Sequence, residues 1–421
     1  MTPENRIKYD EKIRRVSEAV ALKEPDRVPI MPAPALYPIF NAGYTVAEVV
    51  YDTSLEKMKH AVTKYLTDFD PDSGTGVGTV GAGEGPGMEL SSAKNMRWAG
   101  MPGDYIDKNS LPQFIEYPLL LDDEYKEFFT DRTGWALKKA IPRFSNTLEP
   151  LANFRYSISG AGMCARQMAA AFSEPEFRKM IETLWKINEF YSAHQEKVRK
   201  FSEDIEDLGY PIFSGMGGGM VPFDFYSDFL RGTILTMEDL YERPEAIERF
   251  IDEEMEIVLE GIERFKDIDV GKHIFMALHK GFDGFLNNEH YRKYYWKYLQ
   301  KIIVAVVNAG KIPYIFAEGR YDSRIDCLTE VPPGKVIYHF ENVDMKETKK
   351  KLGGVACIAG SFPAASLDWE SPVEIRDRVR KHLDECAAGG GFIFMTSCGL
   401  GKCRRENVEA MFETLREYGK Y

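Results

Sequence analysis

The chain has 421 residues, 44% of them hydrophobic and 13% aromatic, with a formal charge of -12. Such a composition supplies a large packed interior and excludes a protein that holds nucleic-acid backbone, which needs clustered Lys and Arg. No stretch approaches the ~18 uninterrupted apolar residues of a membrane-spanning helix, the charged opening MTPENRIKYDEKIRRVSEAV lacks the apolar core of a signal peptide, and six cysteines are too few to staple so long a chain. The expected location is a reducing cytoplasm.

In chain order, helical spacing from Asn5 to Lys23 predicts a helix, broken at Pro25 and Asp26 before a first strand at Val28 to Met31. Helices are expected at Thr45 to Tyr51 and Ser54 to Leu66, and Asp68, Asp70 and Asp72 alternate at a second strand end. GTGVGTVGAGEGPG, Gly74 to Gly87, lacks the Lys-Ser/Thr ending of a P-loop and reads as a loop or a close backbone approach to a large ligand. An extended segment and an acidic helix fill Gln113 to Trp135, Phe154 to Gly160 is the expected third strand, and Glu174 to Ser202 is amphipathic and helical. The glycines of PIFSGMGGGMVP, residues 215–219 among them, suit a surface turn or a mobile lid.

From Ala246 onward the pattern is regular. A helix to Lys266 precedes a fourth strand, Lys272 to Leu278, that runs into HKGFDGF and so places His279, Lys280 and Asp283 at its end. Strands at Ile312 to Ala317, Lys335 to Tyr338, Val355 to Gly360 and Gly391 to Thr396 alternate with helices at Asn288 to Asn308, Met345 to Leu352, Pro372 to Ala388 and Arg405 to Tyr418. Strands separated by helices of this length pair in parallel through right-handed crossovers. Counted together they number about eight, which predicts a (β/α)8 TIM barrel as one domain over residues 1–421, with residues 1–24 as an N-terminal helical extension.

Three strand ends carry polar groups. The fifth ends on Glu318, the sixth on His339, and the loop after the eighth contains Cys398. A carboxylate, an imidazole and a thiol on one barrel rim suit a zinc ion with one open coordination position. The plainer alternative is a metal-free barrel in which Glu318 pairs with Arg320 or Arg324, His339 is hydrogen-bonded and Cys398 is an inert thiol. Cys403, separated from Cys398 by four residues in SCGLGKC, is a cramped candidate for a further thiolate, and the remaining cysteines read as small core residues.

The phrases RRVSEAVALKEPDRVPI, FDGFLNNEHYRKYYWKYLQKI, GGGFIFMTSCGL and ENVEAMFETLREYG resemble the uroporphyrinogen decarboxylase superfamily over nearly the whole length. Its decarboxylases carry a Met-Arg-Gln-Ala-Gly-Arg phrase after the first strand, whereas MPAPALYPIFNAGY here has no arginine. The other branch comprises zinc-dependent methyltransferases that work with corrinoid proteins. Its His-x-Cys after the fifth strand is replaced here by Phe316-x-Glu318, its second Cys is matched by Cys398, and His339 can supply the missing imidazole, as in O-demethylases. The resemblance implies a Zn2+ site at Glu318, His339 and Cys398 that activates a methylated oxygen compound, an aryl methyl ether, whose methyl group passes to the Co(I) corrinoid of a partner protein. It further implies catalytic or proton-handling roles for His279, Asp283, Arg320 and Tyr321, and a ring-binding pocket from Phe282, Phe316 and Tyr338. Alternatives are a metal-independent decarboxylase, a methyltransferase for a methylamine or thiol, and a non-enzymatic binding partner of a corrinoid protein. No membrane contact is implied, and a homodimer is left open.

Overall fold

The structure is a computed structural model that describes residues 1–103, 105–155, 164–213, 221–267 and 271–421. Five strands, β3 (His273–Leu278), β4 (Ile312–Arg320), β5 (Ile337–Asn342), β6 (Cys357–Gly360) and β7 (Phe392–Ile393), lie side by side in chain order, all parallel. Two short earlier strands, β1 (Met96–Arg97) and β2 (Gln113–Phe114), pair antiparallel with each other in a separate ribbon.

The sheet curls closed through single bridges and backbone bonds. Ile30 bridges Phe394 in parallel and Phe362 bridges Thr396. Asp72 N–H donates to the Ile30 carbonyl, and Gly74 N–H donates to that of Pro211. The edges therefore meet through the first strand at Val28 to Met31, the segment around Asp72 to Gly74 and a third segment at Tyr210 to Phe213, and the fold is the expected (β/α)8 barrel. The third strand is not where the sequence reading put it. Phe154 and Arg155 belong to no strand, and the rest of Phe154 to Gly160 lies outside the described residues. The short Tyr210 to Phe213 run precedes a glycine-rich stretch that hides it from a pattern search.

Alternation along each strand sorts side chains into two shells. On β3, Ile274, Met276 and Leu278 are buried toward the surrounding helices, while Phe275 and Ala277 are half-buried toward the lumen. On β4, Tyr314, Phe316 and Glu318 share the lumen face: the Phe275 and Tyr314 rings meet at 5.4 Å, and the Phe316 ring meets His339 at 4.7 Å. The first helix, Pro3–Val20, begins with a Thr2 cap and Pro at its start. It lays Val16, Ala19 and Val20 against Met31, Phe213, Ile337, Cys357 and Ile393, closing the barrel at the amino ends of its strands. Among the described residues no helix is long and apolar enough to cross a membrane.

Burial holds His273, His339 and His382 neutral, each pushed down to about 4. The unfolded chain protonates these imidazoles near pH 6.5, and the folded one does so only near pH 4. Their contribution to folding stability is therefore full above about pH 6.5 and declines as pH falls toward 4, by on the order of 3 kcal/mol at most for each histidine. Urea unfolding midpoints measured from pH 6.5 to pH 5 are expected to fall, and His382→Gln is expected to flatten the slope.

Candidate active site

The carboxyl ends of β3, β4 and β5 present His279, Glu318 and Glu341, one residue from each strand. The 0% exposed Ala317 and Leu278 anchor the outer shell just before the first two of them. A fourth residue joins from a helix. Pro222–Phe225 starts a helical segment that continues as a wide turn, Tyr226–Arg231, carrying Asp228. That segment is locked to its surroundings because buried Arg231 and Tyr226 both donate to Asp239 at 2.7 Å, and Arg231 also donates to the Leu120 carbonyl.

His279 Nδ1 lies 2.5 Å from Asp228 Oδ2, and its Nε2 lies 3.9 Å from Glu318 Oε1, close enough for an ion pair but too far for a hydrogen bond. The bond to Asp228 stabilises the charged ring and outweighs its burial, and the pKa is raised to about 9. Glu318, half-exposed and without a side-chain hydrogen bond among the described residues, is pushed upward by burial, with the Glu341 and Asp228 charges adding and His279 opposing. Glu341 accepts from the Gly319 N–H at 2.6 Å. Lys280 Nζ donates to Thr233 Oγ1 at 2.9 Å and stands 3.3 Å from Asp228 and 3.8 Å from Glu116. The arrangement is a protonated imidazole, fixed on one side and open on the other, among carboxylates. It can give a proton to a group bound in the mouth.

The expected zinc ligands are not brought together: among the described residues no three His, Cys, Asp or Glu side chains are grouped to hold a metal ion. His339 shows why. Its Nε2 donates to the Thr396 carbonyl at 2.7 Å, which leaves Nδ1 as the acceptor for the Tyr314 hydroxyl at 3.1 Å. Both nitrogens are spent inside the barrel. Cys398 is exposed, with its sulfur 3.9 Å from the neighbouring Ser397 hydroxyl. These residues do not fit a three-ligand zinc site.

Other expected roles also change. Asp283 accepts from Ser323 N–H and Oγ and pairs with Arg324, so it ties two loops together and is not free to move a proton. Arg320 is exposed and bound to Asp322 at 2.5 Å. Tyr321 is wholly buried, its hydroxyl packed so closely beneath Gly281 that a Cβ there would come within 2.6 Å of it. Tyr338 faces the helices, donating to the Leu328 carbonyl, and cannot touch a ligand in the lumen. Phe316 does face the lumen. Phe282 packs over Gly319, whose φ of +79° and missing Cβ both suit the contact. Asp228 and Glu341 went unrecognised as site residues, although two aspartates four apart in the aromatic segment DFYSD were a usable signal.

A (β/α)8 barrel with its chemistry-bearing side chains at the carboxyl ends of the strands places the molecule in a broad architectural class. Residues 199–418, just over half the chain, match the family model for uroporphyrinogen decarboxylase (URO-D), and the chain belongs to that family. Among solved structures it is similar to a methyltransferase from Methanosarcina mazei, with 14% identity over 96% of this chain and 98% of that one and a TM-score of 0.56. At that identity the likeness speaks for the fold. No curated protein matches the chain.

Two outcomes follow from this geometry. Histidine-selective NMR is expected to show one imidazole still charged near pH 8, with Asp228→Asn lowering its pKa by roughly one to two units. Gly319→Ala is expected to push Phe282 out of place at a cost of about 1–3 kcal/mol, read from thermal unfolding.

Proposed function

We propose that the protein transfers a methyl group from a methylated oxygen compound, an aryl methyl ether, to the reduced corrinoid of a partner protein, and that His279 protonates the departing oxygen. The observation that carries the reading is the His279 imidazolium, held by Asp228 with its second N–H turned toward the mouth. The family membership, the fold shared with a methyltransferase and the sequence resemblance to corrinoid-dependent enzymes support it.

An ether is a poor methyl donor because the bond to carbon must leave its electron pair on oxygen. The corrinoid of the partner, as co-substrate, supplies the electron pair that forms the new bond to methyl. As that bond forms the C–O bond breaks, its pair goes to oxygen, and His279 Nε2 gives up its proton to yield the free phenol. A donor whose pKa is about 9 is well matched to a phenol of pKa about 10. Asp228 keeps the ring oriented and is left with a neutral partner until the ring is protonated again, and Phe316 and Phe282 border the space where an aromatic ring is held. No step is assigned to zinc.

Decarboxylation of a polycarboxylate, the activity in the family's name, is less well supported. The mouth carries Asp228, Glu318 and Glu341, Lys280 is already paired, and Arg324 is buried against the carbonyls of Gly281, Phe282 and Leu286.

Incubation with methoxylated aromatic compounds and reduced cobalamin, following loss of the Co(I) absorption, tests the proposal. His279→Gln is expected to slow transfer by roughly 10²- to 10⁴-fold, while Cys398→Ser stays within roughly a factor of two. Full activity in His279→Gln, or no transfer from any methoxylated compound, would overturn it.

A further inference from the structure

The mechanism above uses Asp228 but leaves unexplained a second carboxylate one helical turn earlier. Asp224 is 0% exposed, and no cation lies within ion-pair distance of it among the described residues. Its Oδ2 accepts from the Tyr295 hydroxyl at 2.6 Å and from the backbone N–H of His279 at 3.1 Å, and its Oδ1 accepts from the backbone N–H of Lys280 at 2.9 Å. We propose that Asp224 is a positioning residue for the His279 acid, a role that rests on the function proposed above: by gripping two consecutive backbone amides at the end of β3 it sets the height and direction from which the imidazole reaches Asp228.

Energetics favour a positioning role over a purely stabilising one. A carboxylate with no cation in ion-pair contact is costly to bury, and burial pushes this one up to about 7 against the pull of its donors and of the His279 charge. A leucine or methionine would fill the volume more cheaply. The carboxylate offers something those cannot, two acceptor oxygens for two adjacent N–H groups in a turn that has left the sheet and has no strand partner for them. Asp224 and Asp228 lie on one face of a single helical segment. One holds the main chain of His279 and the other holds its ring, so the segment fixes both ends of the same residue. Tyr295 completes the clamp from a third element, the wide turn Tyr291–Trp296, where its ring stacks on Tyr291 at 5.5 Å.

An amide cannot replace this carboxylate. Asparagine has one acceptor oxygen, and its NH2 group must confront either the His279 or the Lys280 N–H whichever way it is turned. Glutamate keeps the charge and both oxygens but displaces them by one methylene. Asparagine therefore removes one acceptor together with the charge, whereas glutamate keeps the charge and moves both acceptors.

NMR of the resting protein, with no substrate, provides the test. In the wild type the short bond to Asp228 is expected to give a strongly downfield His279 Nδ1 proton, and the amides of His279 and Lys280 are expected to exchange slowly with deuterium. Both Asp224→Asn and Asp224→Glu are expected to shift or abolish the downfield signal and to speed amide exchange by about tenfold or more. Tyr295→Phe, which leaves both backbone bonds in place, is expected to retain the signal. An unchanged signal and unchanged amide exchange in Asp224→Asn, or in both variants, would overturn the proposal. Rapid exchange of the two amides in the wild type would overturn it even if neither variant folds. These measurements stand apart from methyl transfer: an active His279→Gln would remove the proposed function and leave the Asp224 result unaffected.

Discussion

The bond between Asp228 and His279 joins the two halves of the molecule that matter. One partner sits on a helical segment pinned by the buried Arg231, Tyr226 and Asp239 cluster, and the other follows the last buried residue of β3. Because both supports are rigid, the imidazole has little freedom to turn, and its second nitrogen is left facing the mouth. A neutral, freely rotating histidine at the same rim would titrate in the ordinary range and present no fixed donor. The acid character of the site is thus a property of the barrel and the helix together.

The lumen is graded in polarity. Near the amino ends the first helix seals it with Val16, Ala19 and Val20, packed on Met31 and Met395, and the middle layer is aromatic, with Phe275, Tyr314 and Phe316 around the inward His339. The upper layer is ionised. This ordering places the charged groups where water and substrate can reach them and leaves the apolar layers to hold the strands apart at the spacing that side-chain packing dictates. Polar groups below the upper layer must find partners inside the barrel, as His339 does with Thr396 and Tyr314.

The same gradient explains how the expected metal ligands separated. Glu318 lies in the ionised layer, His339 lies two residues below Glu341 on the same strand and falls into the aromatic layer, and Cys398 follows β7 beyond its end on an exposed loop. A residue that closes an apolar run looks like a strand end in a sequence, yet β5 continues through Phe340, Glu341 and Asn342. The three residues between His339 and the strand's true end move the imidazole from the rim into the wall.

What the amino-acid sequence determined by itself was the alternation of strands and helices from Ala246 onward, the parallel barrel that follows from it, and the placing of His279 and Glu318 at adjacent strand ends. Those features are local: apolar runs of strand length, caps, and helices such as Met345–Leu352 and Arg405–Tyr418 that begin and end where their residues dictate. Only the tertiary structure decided which side chains meet. Asp228 reaches His279 from 51 residues away, and Asp224 reaches the same turn from 55. Inward or outward facing on a strand depends on register, and a shift of one residue exchanges the two shells, which is why Tyr338 and His339 took places that their composition did not disclose. The physical reason is that hydrophobic periodicity is written along the chain, whereas the partner of a polar group is settled by the closing of the barrel.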